Sequence, residues 1–323
     1  MNIRFPRNEE LTSASAVATT ASRKHRAVMD RRSFVTMTGA AVIAALAPAP
    51  ATGQTPPRKA RFRTGLVAYS YRQALQAKTM KYEDLIDIAV DTGIDGIDMT
   101  VYWLPGTDAD YLRSLRQRAY RNRVEIYSIG TRVQLAQPTP DLQEKQLADL
   151  RKWIEVAERV GATHIRVFGG PKPAGATLEQ AVGFAGETLK RGAEIAGASG
   201  IVLGVEDDGG ITDFAKETIE IVRRADSPHA GMNLDTGNFR PPKVYDQIEM
   251  SIPHAVSTHI KTEVANDDGK TRSAANWDRI FKMFVAHGYR GYMGLEYGAE
   301  ADAETRVPTE LRRLGEMSRK YSA

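Results

Sequence analysis

The sequence predicts an α/β protein built as a single (β/α)8 barrel, and three observations lead to this prediction. After residue 63, eight short β-branched segments alternate with eight longer amphipathic segments, which indicates a parallel sheet. Residues 64–323 match the usual length of such a barrel, about 250 residues. The first predicted strand runs into Ala-Tyr-Ser-Tyr at 68–71 and not into a glycine-rich phosphate turn, which disfavours a doubly wound sheet, the main alternative.

Each predicted element follows from its local pattern. The strands are short apolar runs: Thr64–Tyr69, Gly96–Thr100, Val124–Ile129, His164–Gly169, Val202–Asp207, Gly231–Thr236, Val256–Lys261 and Tyr292–Tyr297. The helices carry apolar residues at helical spacing: Tyr82–Asp91, Asp108–Asn122, Pro140–Val160, Leu178–Ala198, Thr212–Ala225, Val244–Met250, Trp277–His287 and Glu304–Arg319. Gly161, Gly200 and Gly288 follow three of these helices, where a C-terminal cap favours glycine.

The composition excludes several classes of site. The 323 residues include no cysteine, so disulfide frameworks, thiolate metal sites, iron–sulfur clusters and cysteine nucleophiles are all excluded. The chain has 44 basic and 40 acidic residues, of which segment 1–53 holds seven and three. The positive net charge therefore belongs to that segment, and the balanced remainder argues against nucleic acid as a partner.

Segment 1–53 has the layout of an export signal: a basic region, a short apolar run and a cleavage zone of small residues. Asp-Arg-Arg-Ser-Phe-Val at 30–35 resembles a twin-arginine signal, and Met29 just before it is an alternative start. The apolar run is too short and too polar for a stable membrane span. We expect the twin-arginine machinery to export the folded precursor to the periplasm or the medium, with 54–63 as a linker. An uncleaved N-terminal segment is the alternative.

Four ligand-type residues stand at the ends of the last four predicted strands: Glu206, Asp235, His259 and Glu296. They are 29, 24 and 37 residues apart, each close to one strand–helix repeat. Chemistry in such barrels lies at the C-terminal ends of the strands. Period-two alternation puts the interleaved apolar residues toward the helices and these four side chains into the barrel mouth.

Three carboxylates in one desolvated space need a cation or protons to coexist. One imidazole with three carboxylates is a hard, oxygen-rich ligand set. We therefore expect Glu206, Asp235, His259 and Glu296 to bind one divalent metal ion. Mn²⁺ is the ion we favour, with Mg²⁺, Co²⁺ or Zn²⁺ as alternatives. Taken alone, each of the three carboxylates is more typical of a helix cap or a surface ion pair, and His259 is more typical of a histidine buried in the core.

These strand ends resemble those of the sugar phosphate isomerase/epimerase group of xylose isomerase-like barrels. The motifs are Gly-Val-Glu at 204–206, Leu-Asp-Thr-Gly-Asn at 234–238, His-Ile-Lys at 259–261 and Gly-Leu-Glu-Tyr at 294–297. The resemblance implies one divalent metal on the four residues above, with Glu206 and Glu296 also acting as acid and base. Asp208 and Asn238 stand where many members of the group have histidine, which leaves the substrate open.

The expected chemistry is isomerisation or epimerisation of a non-phosphorylated sugar or keto-sugar through an enediolate, with two glutamates moving the proton. Lys261, Asn238 and Arg166 are candidates for binding substrate oxygens, and Arg166 is equally a candidate ion-pair partner of a mouth carboxylate. We expect a small carbohydrate as the partner. The sequence leaves the oligomeric state open.

Three other functions use the same barrel. A lyase or hydratase would expel a leaving group from a 3-keto-glycoside through the same metal-stabilised enolate. An endonuclease IV-like phosphodiesterase resembles a trinuclear zinc site that needs about five histidines, whereas this chain has six in all, one of them in segment 1–53. A non-catalytic sugar-binding barrel is the third.

Overall fold

The computed structural model describes residues 59–299 and 302–322, and in this part of the chain eight parallel strands close into a barrel. The ten strands are β1 (Arg61–Val67), β2 (Gly96–Thr100), β3 (Glu125–Gln134), β4 (His164–Phe168), β5 (Val202–Glu206), β6 (Ala230–Asp235), β7 (Ala255–Ile260), β8 (Glu263–Ala265), β9 (Arg272–Ala274) and β10 (Arg290–Leu295). Strands β8 and β9 form a separate antiparallel hairpin, and the other eight follow the order β1-β10-β7-β6-β5-β4-β3-β2 around the barrel. The (β/α)8 prediction is confirmed.

Helices lie between the barrel strands. They are α1 (Arg72–Ala77), α2 (Tyr82–Thr92), α3 (Ala109–Arg121), α4 (Pro140–Val160), α5 (Leu178–Gly197), α6 (Ala215–Ala225), α7 (Val244–Ser251), α8 (Trp277–Ala286) and α9 (Ala303–Tyr321). The sequence analysis missed α1 and the β8–β9 hairpin, because both are too short to show a clear hydrophobic period. None of the described helices is long and apolar enough to cross a membrane.

The N-terminal boundary differs from the prediction. Strand β1 begins at Arg61, three residues before the predicted strand, so residues 61–63 of the predicted linker belong to the sheet. The reason is Phe62, which is buried and packs edge-on against Phe281 at 5.5 Å between ring centres. The predicted signal peptide 1–53 and the alternative start at Met29 lie outside the described residues.

Local capping sets the bounds of the longest helix. The Thr139 side chain accepts a hydrogen bond from the Leu142 N–H, Pro140 occupies the first helical position, and both features favour a helix start. The helix ends at Val160 and is capped by Gly161, whose φ of +86° is a left-handed conformation that residues with a Cβ rarely adopt. These local signals explain why α4 was predicted at its observed bounds.

The alternation of faces along the strands decides where the site lies. Val205, Leu234, Ile260 and Leu295 are fully buried in the apolar layer that the strands share with the helices. Their neighbours in the chain therefore face the barrel interior, as the period of two predicts.

Below the mouth the barrel interior is filled by Tyr127 of β3, which stacks on Tyr292 at 3.6 Å between ring centres. Gly65 and Gly294 leave room for it, because a Cβ at either position would lie 2.6 Å from the Tyr127 hydroxyl. The interior is thus closed beneath the mouth, and the polar residues above it form a site open on one side only.

Candidate metal centre

Four side chains converge at the C-terminal mouth of the barrel. Glu206 and Asp235 are the last residues of β5 and β6, His259 is the last but one of β7, and Glu296 directly follows β10. Each offers one ligand-type atom, and these four atoms all lie within 4.8 Å of one another. All four side chains are buried. The structure therefore brings together the four residues that the sequence placed in one site.

The two glutamates are held in the same way. In each, one carboxylate oxygen contacts a basic side chain and the other faces the imidazole of His259. Glu206 Oε2 lies 3.0 Å from Arg166 Nε, and Glu206 Oε1 lies 2.7 Å from His259 Nδ1. Glu296 Oε1 accepts a hydrogen bond from Lys261 Nζ, and Glu296 Oε2 lies 3.1 Å from His259 Nδ1. Each glutamate therefore has one oxygen directed at the common centre.

The two carboxylate oxygens of Asp235 also have different neighbours. Its Oδ1 accepts the backbone N–H of Gly237 at 2.8 Å, and its Oδ2 lies 3.9 Å from His259 Nδ1. The backbone N–H of Asp235 donates to Asp207 Oδ1 at 2.7 Å, which fixes the strand end. All three carboxylates thus present a single oxygen each to the centre.

The ligand atoms fit a divalent ion. Asp235 Oδ2 and His259 Nδ1 are buried, and neither makes a well-aligned hydrogen bond with another described residue although charged groups lie close to both, which is costly unless a ligand binds them. With Asp98 of β2, which lies against the far side of the His259 ring, four carboxylates surround this imidazole and carry four negative charges when ionised. Arg166 and Lys261 contribute two positive charges. One divalent cation would balance this buried set.

Asp98 on β2 is a residue that the sequence analysis missed. Its Oδ2 lies 3.2 Å from His259 Nε2, across the barrel, and both side chains are 1% exposed. Burial opposes ionisation of Asp98, but the hydrogen bond and charge of His259 hold its pKa below the usual value. An ionised carboxylate only accepts, so Asp98 keeps a proton on His259 Nε2, and Nδ1 is the nitrogen that a metal would bind once its proton is displaced.

Replacing Asp98 tests this arrangement. The Asp98→Asn amide can donate to Nε2, which favours the tautomer with its proton on Nδ1 and blocks the ligand atom. We expect the affinity for Mn²⁺ to fall about 10- to 100-fold, measured by titration of the purified protein. Asp91→Asn, an exposed aspartate at the end of α2, serves as control. Equal affinities in the two variants would contradict the role of Asp98.

Proton uptake differs among the ligand residues. Burial raises the pKa of Asp235 to about 7, although Lys261 limits the rise. Burial disfavours a charged imidazole, but Glu206 and the other carboxylates hold the pKa of His259 well above its usual value. Burial also opposes ionisation of Glu296, yet Lys261 and His259 outweigh it and hold its pKa below the usual value. Asp235 and His259 therefore keep the protons when no metal is bound.

These pKa values predict how metal binding depends on pH. Below about pH 7 a metal must displace the protons on Asp235 and His259, so affinity falls as the pH drops and rises as the pH increases. Calorimetric Mn²⁺ titrations in buffers of different ionisation heat should show proton release. Asp235→Asn cannot take up that proton and should give a shallower pH dependence. An affinity that is constant between about pH 5.5 and 8 would contradict the prediction.

The predicted substrate-binding residues occupy different places. Lys261 and Asn238 line a cavity of about 830 Å³ that opens from the cluster, together with Glu206 and Glu296. Arg166 also borders this cavity, but its guanidinium pairs with Glu206. Of the two roles considered for Arg166, its geometry is that of an ion-pair partner.

The rest of the cavity wall is aromatic and polar. Its other lining residues are Tyr69, Arg72, Gln73, Gln76, Tyr102, Trp103, Arg132, Phe168 and Asp208. The Tyr69 and Trp103 rings lie 5.9 Å apart, and Arg132 lies over the Tyr102 ring at 3.9 Å. Such walls suit a polyhydroxylated ligand with some apolar faces.

Asp98 could have been found from the sequence, because it is a charged residue between the apolar Ile97 and Met99 within one predicted strand.

None of the other described histidines belongs to the ligand cluster. His164 is buried on β4 with its Nδ1 2.8 Å from Ser128 Oγ, while His229, His254 and His287 lie outside β1–β10. Within residues 59–299 and 302–322, a single group of metal-ligand side chains is present, and it contains one histidine. This arrangement does not fit the trinuclear zinc site of an endonuclease IV-like enzyme.

Comparisons with known proteins identify the same fold. Residues 86–317 match a family model described as the xylose isomerase-like TIM barrel. No curated protein sequence matches the chain.

Three solved structures share the fold. A D-psicose 3-epimerase from Clostridium cellulolyticum H10, solved with D-tagatose, has a TM-score of 0.65 and 16% identity over 80% of this chain and 99% of its own. The IOLI protein with a bound zinc atom has a TM-score of 0.64 and 13% identity over 81% and 99%. The 3-keto-D-glucoside 4-epimerase of E. coli has a TM-score of 0.60 and 14% identity over 79% and 100%.

Proposed function

This chain belongs to the family of xylose isomerase-like TIM barrels, and from that premise we propose that it is a metal-dependent sugar isomerase or epimerase. Its substrate is a non-phosphorylated sugar or keto-sugar. The observation that carries the proposal is the convergence of Glu206, Asp235, His259 and Glu296 within 4.8 Å at the mouth. The similarity to the structures of a D-psicose 3-epimerase and a 3-keto-D-glucoside 4-epimerase supports it.

Glu206 Oε1, Asp235 Oδ2, His259 Nδ1 and Glu296 Oε2 would hold the metal. Three oxygens and one imidazole nitrogen favour Mn²⁺, and Mg²⁺, Co²⁺ and Zn²⁺ are also compatible. When bound, a divalent ion supplies Lewis-acid stabilisation of negative charge on adjacent substrate oxygens. Each carboxylate directs one oxygen at the centre, so the protein would supply four ligand atoms.

The two glutamates move the proton. A carboxylate beside the carbon next to the substrate carbonyl takes its proton, which leaves an enediolate. Return of a proton to the other face of that carbon gives an epimer, and return to the adjacent carbon gives an isomer. Glu206 and Glu296 are the two groups placed for this, since each has an oxygen directed at the centre and a cation behind the other oxygen. Positioned acid/base groups contribute about 10²- to 10⁴-fold.

Lys261 and Asn238 bind the substrate oxygens. Lys261 Nζ lies 3.2 Å from Asp235 Oδ2, and Nζ also donates to Glu296. These carboxylates hold the pKa of Lys261 above its usual value although burial opposes it, so the ammonium stays charged. A charged donor at this point can also stabilise the oxygen anion of the enediolate. Asn238, half-buried in the same wall, supplies neutral hydrogen-bonding groups.

The choice of a non-phosphorylated substrate follows from the predicted export signal at 30–35. We propose that the mature enzyme works in the periplasm or the medium, where it would rarely meet a sugar phosphate. Fusion of residues 1–53 to a reporter that requires twin-arginine export tests this location. Replacing Arg31 and Arg32 by lysine should stop export of the reporter.

A deuterium exchange screen tests the reaction itself. The Mn²⁺-loaded protein is incubated in D₂O with aldoses, ketoses, keto-glycosides and their phosphates. We expect deuterium at the carbon next to the carbonyl of a non-phosphorylated substrate, together with a new isomer or epimer. Release of water or an aglycone would instead indicate the lyase, and no reaction with any sugar would overturn the proposal.

A further inference from the structure

The side chain of Arg166 contacts several polar neighbours within the barrel mouth. It lies on β4, it is 4% exposed, and its Nε is 3.0 Å from Glu206 Oε2. Its Nη1 donates to the Thr131 carbonyl at 2.7 Å and to the Tyr102 hydroxyl at 3.0 Å. Three separate neighbours from β3, β5 and the turn after β2 therefore fix the plane of the guanidinium.

One face and the remaining edge of the guanidinium are also constrained. Its central carbon lies 4.0 Å from the centre of the Phe168 ring, a distance typical of a stacked cation. Gly130 makes room for Nη2, since a Cβ at this position would lie 2.8 Å from it. Any other residue at 130 would displace the guanidinium. The local sequence is thus built around one orientation of Arg166.

The fixed guanidinium determines how Glu206 presents its oxygens. Oε2 is opposite Arg166 Nε, so Oε1 is the oxygen that points to His259 Nδ1 at 2.7 Å and accepts from Asn233 Nδ2 at 3.3 Å. The cation beside Glu296 differs in kind, because Lys261 has a flexible stem and contacts two carboxylates. Glu206 is the rigid member of the pair of glutamates.

We propose that Arg166 is a positioning residue that holds Glu206 Oε2, so that Oε1 alone faces the metal and the substrate. A free Glu206 could rotate and present both oxygens, which would occupy a position that the substrate needs. The kinetic part of this inference rests on the proposed function, whereas the metal-binding part depends only on the four ligand residues.

Arg166→Lys is the main test. Lysine keeps the charge but lacks the planar fork, so it cannot bind Glu206, Tyr102 and Thr131 together. We expect kcat to fall about 10- to 100-fold with KM changed less than about three-fold, and Mn²⁺ affinity to fall about 10-fold. A rise in KM at unchanged kcat would overturn the proposal in favour of direct substrate binding. Unchanged kcat and metal affinity would overturn it outright.

Chemical rescue separates positioning from a merely structural role. Arg166→Ala leaves a space beside the cavity that Arg166 borders. Millimolar guanidinium should restore part of kcat in this variant, because the ion can take the place of the side chain on Glu206. Failure to recover kcat in a variant that melts like the wild type would count against the proposal.

The matched control is Arg191→Lys. Arg191 on α5 pairs with Glu144 at 2.7 Å, outside the barrel mouth, so its replacement should leave kcat and Mn²⁺ affinity unchanged. If the wild type exchanges no sugar proton at all, the proposed function fails, but the Mn²⁺ titration of Arg166→Lys still decides whether Arg166 positions Glu206.

Discussion

Glu296→Gln is expected to lower proton exchange at the substrate carbon by about 10²- to 10⁴-fold while the fold stays intact. The amide has nearly the same shape as the carboxylate, so packing against Lys261 and β10 should survive. It cannot accept the substrate proton, because an amide is not a base at neutral pH. Deuterium exchange with Mn²⁺ in excess measures the loss, and circular dichroism and melting temperature measure the fold.

The excess of Mn²⁺ matters because Glu296 is also an expected ligand. A loss of exchange that disappears at saturating Mn²⁺ would assign Glu296 to metal binding alone. Glu187→Gln, an exposed glutamate on α5, should leave exchange unchanged. Full activity of Glu296→Gln at any Mn²⁺ concentration would refute the acid/base role.

Removal of the metal is the second large effect that we expect. Exhaustive chelation should abolish exchange, and added Mn²⁺ should restore it. Without an ion, protons on Asp235 and His259 and the cations Arg166 and Lys261 must compensate the carboxylates. The melting temperature should also fall, since a ligand at 100 times its Kd stabilises a protein by roughly 2.7 kcal/mol.

Two measurements make the chelation result decisive. Elemental analysis should give one equivalent of metal per active chain and almost none after chelation. The Asp98→Asn protein should lose activity at a lower chelator concentration than the wild type, because its metal is held less tightly. A protein freed of metal that retains undiminished exchange would exclude the proposed mechanism.

The fold and the ligand set could be predicted because both depend on local patterns. Six of the eight barrel strands lie within two residues of their predicted bounds, whereas β1 begins three residues earlier and β3 ends five residues later than predicted. Glu206, Asp235 and His259 fall within the last two residues of their strands. A strand has a side-chain period of two, so the phase of each residue can be read from its apolar neighbours. The barrel could therefore be predicted without knowledge of any contact between distant residues.

The groups around the ligands could not be predicted in this way. Asp98 and His259 are 161 residues apart, and Arg132 and Asp208 meet in one cavity only because the barrel closes. The β8–β9 hairpin and α1 are too short to carry a period. Arg166 shows the limit most clearly, since the sequence left two roles open and its contacts with Glu206, Tyr102 and Thr131 favour one.

The sequence by itself determined the barrel and the four side chains that point into its mouth. Only the tertiary structure decided which oxygen of each carboxylate faces the centre, which nitrogen of His259 is available to a metal, and which basic side chain contacts each glutamate. The physical reason is that strand periodicity fixes the face of a residue, whereas hydrogen-bond partners across the barrel depend on the register with which all eight strands close.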